Sequence, residues 1–353
     1  MEMDDLNTIV ALSREFGSVD YVRGGGGNTS VKNDTTLWVK PSGTTLAGLA
    51  AETFVQMDRA GINRLYEVET PAESSAREEL VKKMMAAAVE NDAGRPSVEA
   101  PLHNVFEAKY VVHTHPALVN GLTCAKSGDV VCARLFPDAL WVEYIDPGYT
   151  LCMEVRRRIA QYKVVFGCEP AMLLLKNHGI FIAADTAGEI RTRYAHVMDT
   201  LAEEYAKARV STTLEIADVP EDPSIEVQIR EVFSKDAAFI ASSGLFAYAS
   251  GPITPDHLVY ARAFPFSRTL SRAGADAYRA ERGYPPKVVV VDDRVYGIGQ
   301  SRSNADLALE FAQDGALVMQ LAEAFGGIQY MTDRQRKFIE NWEVESYRAR
   351  QIC

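Results

Sequence analysis

Long apolar runs are missing from this chain. No segment approaches the roughly 18 uninterrupted apolar residues that a membrane-crossing helix needs, so a helical span is excluded. Cysteine is sparse as well. The five thiols, Cys124, Cys132, Cys152, Cys168 and Cys353, are odd in number and form no C-x-x-C pair, which favours reduced thiols over a disulfide framework. There is no excess of positive charge: 37 Lys and Arg face 48 Asp and Glu, a net charge of −11, and this argues against nucleic acid as the main partner. Phosphate-loop signatures are absent too. The run GGGGN lacks both the preceding apolar strand and the following helix that a G-x-G-x-x-G fingerprint requires, and there is no P-loop. The opening MEMDDLNTIV is acidic where a signal peptide would be basic, so the expected location is the cytoplasm. With 47% hydrophobic and 24% charged residues over 353 positions, the composition is that of a globular chain of about two domains.

Histidine is also rare, with six residues, yet three of them sit in metal-ligand settings. His113 and His115 follow the apolar run at 110–112 at spacing i and i+2, which on a strand puts both imidazoles on one face with their Cα atoms about 6.6 Å apart, close enough for both rings to reach one ion. His178, in Asn177-His178-Gly179 between two apolar strands, can complete a three-histidine set with one position open for substrate. Upstream, Ser97 reads as a helix N-cap with Pro101 in the first turn. Glu99 then lies at a helix N-terminus, where the macrodipole favours the carboxylate. His103 at i+4 shares its face and is a candidate to orient it. The glycine run at 24–27 permits positive φ and close backbone approach; with Asn28 and Ser30 beside it, an anion-binding nest is the reading weighed against a plain hairpin loop. Lys32 and Lys40 are expected as solvated surface charges.

Five collinear segments, Gly27-Asn28-Thr29-Ser30, Lys40-Pro41-Ser42-Gly43-Thr44, Pro96-Ser97-Val98-Glu99, Val112-His113-Thr114-His115-Pro116 and Asn177-His178-Gly179, resemble the motifs of the class II aldolase/adducin family over residues 1 to about 210. GGGGNTSVK, LWVKPSGT and the later ITPDH are closest in phrasing to the aldolase part of bifunctional rhamnulose-1-phosphate aldolase/dehydrogenase proteins. The resemblance implies an α/β fold, a three-layer α/β/α sandwich with a mainly antiparallel central sheet. It implies a divalent metal, Zn2+ or another such as Mn2+, held by His113, His115 and His178, with Glu99 as catalytic acid/base. A tyrosine contributed across a subunit interface serves the leaving aldehyde in the family, and Tyr144 is the candidate here, with Tyr149 nearby. Substrate phosphate falls to Asn28, Ser42, Gly43 and Ser97. Family members can carry two serines before the glutamate; Ser97-Val98 lacks one of these hydroxyls.

The implied activity is that of a lyase on a small-molecule sugar or sugar-phosphate substrate. It would cleave a ketose, such as a deoxyhexulose 1-phosphate, to dihydroxyacetone phosphate and an aldehyde through an enediolate. A pentulose-5-phosphate 4-epimerase and an oxo-tetronate-phosphate decarboxylase would use the same site. An adducin-like module without catalysis is the alternative from another class, and retention of all three histidines with Glu99 favours the enzyme. A homo-oligomer, a tetramer by resemblance, is expected, without nucleic acid or membrane partners.

The chain is expected to divide at the acidic, proline-rich stretch 219–223, giving a catalytic domain at 1–215 and a smaller α/β C-terminal domain at 216–353. There Ser224 reads as the N-cap of a helix over 225–241. MLLLKNHGIFIAADTAGEI and VVVVDDRVYGIGQSRSNAD share the order strand, turn, strand, helix. A degenerate second copy that has lost its metal histidine, with Arg294 set against His178, and simple coincidence are both open.

Overall fold

The computed structural model describes residues 2–342, and Cys353 lies outside the described residues. The chain divides into two compact units, one built from residues up to 119 and 129–200, the other from 120–128 and 201 onward. Up to residue 208 the elements are α1 (Glu2–Glu15), β1 (Asn28–Lys32), β2 (Thr36–Val39), β3 (Val55–Asp58), α2 (Arg59–Leu65), α3 (Ser74–Ala87), α4 (Ala100–Val105), β4 (Tyr110–Thr114), α5 (Ala117–Thr123), α6 (Gly128–Leu135), β5 (Leu140–Val142), α7 (Tyr149–Phe166), β6 (Met172–Leu175), β7 (Gly179–Ala184) and α8 (Ala187–Ala208). The strands are short and mostly β-branched or apolar, as a half-covered pleated surface requires. They pair in the order β3-β2-β1-β4-β7-β6-β5. Every pairing is antiparallel except that of β5 with β6. With helices on both faces, the first unit is the α/β/α sandwich with a mainly antiparallel sheet that the sequence implied.

Alternation along each strand sorts side chains between the two helix layers. Val111, Leu173, Phe181 and Ala183 pack with Leu102 of α4 and with Leu151, Val155 and Ile159 of α7. Leu37, Val39, Val55 and Met57 pack with Ile62 and Leu65 of α2 and Met85 of α3. Toward the other layer, Thr29 meets Ser13 of α1 (Oγ1 to Oγ, 2.7 Å) and Thr114 meets Tyr194 of α8 (Oγ1 to Oη, 2.8 Å). His113 has the parity of Val111, so the same alternation sends it toward the α4 layer.

That parity also buries a polar stripe on β1: Asn28, Ser30 and Lys32. The expectation of solvated lysines is corrected here, since Lys32 and Lys40 are each only 3% exposed. Lys32 donates to the Ala108 carbonyl (2.6 Å), and Lys40 to the Gly25 carbonyl within the glycine run (3.3 Å). β1, which carries Lys32, lies inside the sheet, and Lys40 follows β2 directly and turns into the glycine run.

Burial, with Arg59 adding repulsion, lowers the Lys32 amine from its ordinary 10.5 to about 7. Between these values the unfolded chain holds a proton that the folded chain has released, so stability rises with pH; below 7 both states are protonated and the full desolvation penalty is present. Lys32→Met removes that penalty. Its effect on stability is expected to be more favourable at pH 6 than at pH 9 by on the order of 2–3 kcal/mol, read from urea midpoints at the two pH values. An effect equal at both would show that Lys32 remains charged.

The second unit contains α9 (Pro223–Phe233), β8 (Phe239–Gly244), α10 (Pro255–Tyr260), α11 (Arg272–Arg282), β9 (Val288–Val291), β10 (Arg294–Gly299), α12 (Arg302–Ala322) and α13 (Asp333–Asn341). Two expectations are corrected. The helix foreseen over 225–241 ends at Phe233, because Ser234 turns to φ 52° and 239–244 pair as β8. Its N-cap is Asp222, whose carboxylate accepts from the Ser224 amide (2.9 Å), with Pro223 rather than Ser224 opening the helix.

The sheet order is β8-β10-β9. The β9–β10 hairpin is followed by α12 as the β6–β7 hairpin is by α8. Between the paired residues Val291 and Arg294 its turn holds Asp292 and Asp293, one residue fewer than the turn between Leu175 and Gly179. The shorter turn ends where the first one places His178. Arg294 instead donates to the carbonyls of Val219 (3.0 Å) and Pro220 (2.8 Å) and to Ser242 Oγ (3.2 Å). No described helix is long and apolar enough to cross a membrane.

Candidate metal centre

The two central strands carry the histidines. β4 pairs with β7 so that His113 lies opposite Phe181, and the two rings stack at 3.8 Å with 10° between their planes. His113 Nδ1 lies 2.9 Å from the Ile180 carbonyl. A carbonyl only accepts, so Nδ1 carries the proton and the Nε2 lone pair points away from it, the usual support for a ligating histidine. His115 Nε2 is 2.9 Å from His113 Nε2. His178 arrives from the β6–β7 turn, in which Asn177 adopts a left-handed φ of 52°. One ring nitrogen from each of the three lies within 4.8 Å of the other two.

Two glycines make this approach possible. Gly27 has φ +62°, and a Cβ there would lie 2.6 Å from the His113 carbonyl oxygen. A Cβ on Gly179 would lie 2.4 Å from the Thr114 carbonyl oxygen and 2.6 Å from Cδ2 of His115. Any larger residue at 179 would push the His115 ring out of place.

Glu99 enters the same point from the start of α4. Its Oε2 is 3.5 Å from His113 Nε2 and its Oε1 is 3.6 Å from His178 Nε2. Ser97 is not the N-cap expected: the helix begins at Ala100 with Glu99 as its N-cap residue, and Ser97, two residues earlier, accepts from the Glu99 amide at its Oγ (3.3 Å). Asn28, opposite His113 across the β1–β4 pair, donates from Nδ2 to Glu99 Oε2 (2.6 Å) and to Ser97 Oγ (3.2 Å). Its Oδ1 meets His103 Nε2, and His103 Nδ1 meets Ser30 Oγ (2.8 Å). Burial, with repulsion from His113 and Lys32, holds His103 well below the ordinary histidine range, so the ring is neutral.

Ser42 and Gly43 lie in the loop after β2, which is tied to the segment before Glu99 by Ser42 N to Arg95 O (2.8 Å) and Ser97 N to Lys40 O (3.2 Å). Gly43 has φ +83°. Ser97 Oγ accepts from both Asn28 and Glu99, so its own proton is left to donate. The parallel pairing of Val142 with Leu175 and the bond from Lys176 N to Val142 O (3.0 Å) bring the segment after β5 to the His178 end of the sheet. Tyr144 lies there, partly buried. Tyr149 does not: it is 7% exposed and packs in the core with Leu37, Val39 and Ile62, its hydroxyl toward the Leu65 carbonyl (3.4 Å).

Glu99 Oε1 is buried without a hydrogen-bond donor. A carboxylate oxygen in that condition is costly unless a cation or a proton donor meets it. The three imidazole nitrogens form a donor set that suits a divalent cation, zinc or another such as manganese, with the Glu99 carboxylate beside it. Ser30, Phe181 and Gly179 support this centre; from the sequence Ser30 was read only as a nest donor, Gly179 only as part of its motif, and Phe181 was not singled out. The placement of Gly179 directly after His178 is the local signal of its supporting role.

Among solved structures, the chain resembles the N-terminal class II aldolase domain of a conserved protein from Thermoplasma acidophilum, at 25% identity and a TM-score of 0.49 over 56% of this chain and 92% of that one. It also resembles YgbL from Klebsiella pneumoniae, at 20% and 0.41 over 58% and 90%, and L-fuculose-1-phosphate aldolase from Thermus thermophilus, at 16% and 0.38 over 59% and 97%. No curated protein sequence matches the chain significantly. The family model described as class II aldolase and adducin N-terminal domain matches residues 7–206, more than half of the chain, and on that match the protein belongs to the class II aldolase and adducin family.

Proposed function

We propose that the first unit is a divalent-metal-dependent aldolase that cleaves a ketose, most consistently a ketose 1-phosphate of the deoxyhexulose type, to dihydroxyacetone phosphate and an aldehyde. The observation that carries this reading is the convergence of three imidazole nitrogens beside Glu99, whose Oε1 is buried without a hydrogen-bond donor. His113, His115 and His178 would hold the cation, which when bound acts as a Lewis acid toward the ketose carbonyl and the hydroxyl beside it. Glu99 then moves the proton. Its Oε2 is fixed by Asn28, so Oε1 is the atom that exchanges a proton with the carbon next to the carbonyl as the neighbouring carbon–carbon bond breaks or re-forms. Ser42, Gly43 and Ser97 offer hydroxyl and backbone donors to a phosphate. Asn28, whose carboxamide is taken up by Glu99, Ser97 and His103, serves the phosphate less than it serves the carboxylate. Tyr144 is the proposed acid/base at the aldehyde oxygen, which loses its hydroxyl proton as the aldehyde departs and regains one in the reverse direction, acting in a homo-oligomer in which subunits complete one another's sites.

The test pairs elemental analysis of the purified protein with a coupled assay for dihydroxyacetone phosphate released from rhamnulose 1-phosphate and fuculose 1-phosphate. About one zinc or manganese per chain with product release is expected. Bound metal without product would move the reading to 4-epimerisation or decarboxylation through the same carboxylate. A protein that binds no metal would end the catalytic reading.

A further inference from the structure

We propose that His103 is a positioning residue for this reaction: held in a single tautomer by Ser30, it locks the Asn28 carboxamide, and through it decides which oxygen of Glu99 is free to carry the proton. The inference rests on the reading of Glu99 as the proton carrier. It follows from a chain of hydrogen bonds whose direction can be deduced link by link.

Glu99 as a carboxylate has only acceptors. The group of Asn28 that lies 2.6 Å from Glu99 Oε2 must therefore be its amide nitrogen. That choice turns Asn28 Oδ1 toward His103, and because this oxygen is also acceptor-only, His103 must carry its proton on Nε2. A neutral imidazole protonated at Nε2 leaves Nδ1 as a bare acceptor, and the Ser30 hydroxyl at 2.8 Å is the donor that fills it. Every donor in the sequence Ser30, His103, Asn28 thus points toward Glu99, and none of the links can be reversed without leaving two lone pairs face to face.

The members have no contact with bulk water to substitute for a lost link. Ser30 and His103 are fully buried, and Asn28 is 4% exposed. The elements that hold them are rigid: Asn28 and Ser30 alternate along β1, inside the sheet, and His103 sits one helical turn after Glu99, its amide bonded to the Glu99 carbonyl (2.9 Å). The His103 ring also packs edge-on against Phe181 at 5.4 Å. Phe181 is the ring on which His113 stacks, so one aromatic side chain fixes both imidazoles.

The consequence lies at the carboxylate. Oε2 is held by the Asn28 amide, while Oε1 has no hydrogen-bond donor and faces His178. Without His103, Asn28 Oδ1 loses its donor and the carboxamide can rotate; an oxygen turned toward Glu99 would repel the carboxylate and release it from its angle. His103 never touches the reacting atoms in this account.

Two variants and one spectroscopic measurement test it on the purified metal-loaded enzyme. His103→Phe keeps the ring volume and removes both nitrogens. It is expected to lower kcat about 10- to 100-fold, the range for outer-layer partners, with KM within about twofold and metal content unchanged. His103→Gln can place an amide N–H near the former Nε2 and is expected to recover most of the lost kcat. Separately, nitrogen-15 spectra of the imidazoles, with His103 identified by its disappearance in His103→Gln, are expected to show one tautomer protonated at Nε2. Unchanged kcat in His103→Phe overturns the proposal, as does equal loss in both variants together with loss of metal, which would make His103 merely structural. A ring protonated at Nδ1 overturns it as well. The spectra need no turnover: if the wild type cleaves no ketose while the Nε2 tautomer is present, it is the reading of Glu99 as proton carrier that fails, and the hydrogen-bond chain stands.

Discussion

His178→Ala is expected to reduce bound metal from about one ion per chain to a small fraction and to lower kcat/KM by about 10³ or more, the scale of several kcal/mol of transition-state stabilisation supplied by a Lewis-acid cation. His178 is the most informative of the three ligands to remove. His113 is fully buried, stacked on Phe181 and bonded to the Ile180 carbonyl, so its truncation would open a cavity and orphan a backbone acceptor as well as remove a ligand. His178 stands in a turn and is 8% exposed, so its loss should leave the sheet intact. The measurement is elemental analysis beside thermal unfolding with and without added zinc. Full metal occupancy with full activity in His178→Ala would exclude it from the cation site and leave the pair His113 and His115 to be explained in another way.

The centre could be read from the sequence because its residues obey local rules. His113 and His115 at i and i+2 after an apolar run share a face of a strand, and a histidine between two short apolar strands that pair as a hairpin sits at its tip, at one end of the strands. The sheet order then brings those two places together, which no local rule supplies. The polar stripe was not legible for the opposite reason. NTSVK alternates as a strand with one solvated face would, and nothing local tells that β1 lies between β2 and β4 with α4 across its polar side. Lys32 was misplaced by that rule, and the roles of Ser30 and His103 were hidden by it: spacing brought His103 to the face of Glu99 but not the carboxamide that stands between them. In the second unit the helix expected over 225–241 was too long because periodicity continued through Ser234, where the backbone itself turns left-handed. Tyr144 is a case between these. Parallel pairing of β5 and β6 carries it to the end of the sheet where His178 lies, whereas Tyr149, five residues further on, is consumed by the core.

Glu99→Gln is the variant that separates holding the cation from using it. Its expected result is a loss of about 10²- to 10⁴-fold in kcat, the range for removing a positioned acid/base group, with metal still bound by the three histidines. The structure indicates why this substitution should be clean. Asn28 Nδ2 needs an acceptor at 2.6 Å, so a glutamine at 99 will turn its oxygen to Asn28 and its NH2 group into the place now held by Oε1. The side chain keeps its volume and its tie to Asn28, and loses both the negative charge and the lone pair able to take a proton. KM should change less than kcat, because the phosphate donors proposed at Ser42, Gly43 and Ser97 are untouched. Combining Glu99→Gln with His103→Phe provides an internal control: if His103 acts only through Glu99, the double variant should be no slower than Glu99→Gln alone, since residues that act as a unit are not additive. A further tenfold loss in the double variant would show that His103 contributes by another route, and full activity in Glu99→Gln would remove the carboxylate from the proton transfer altogether.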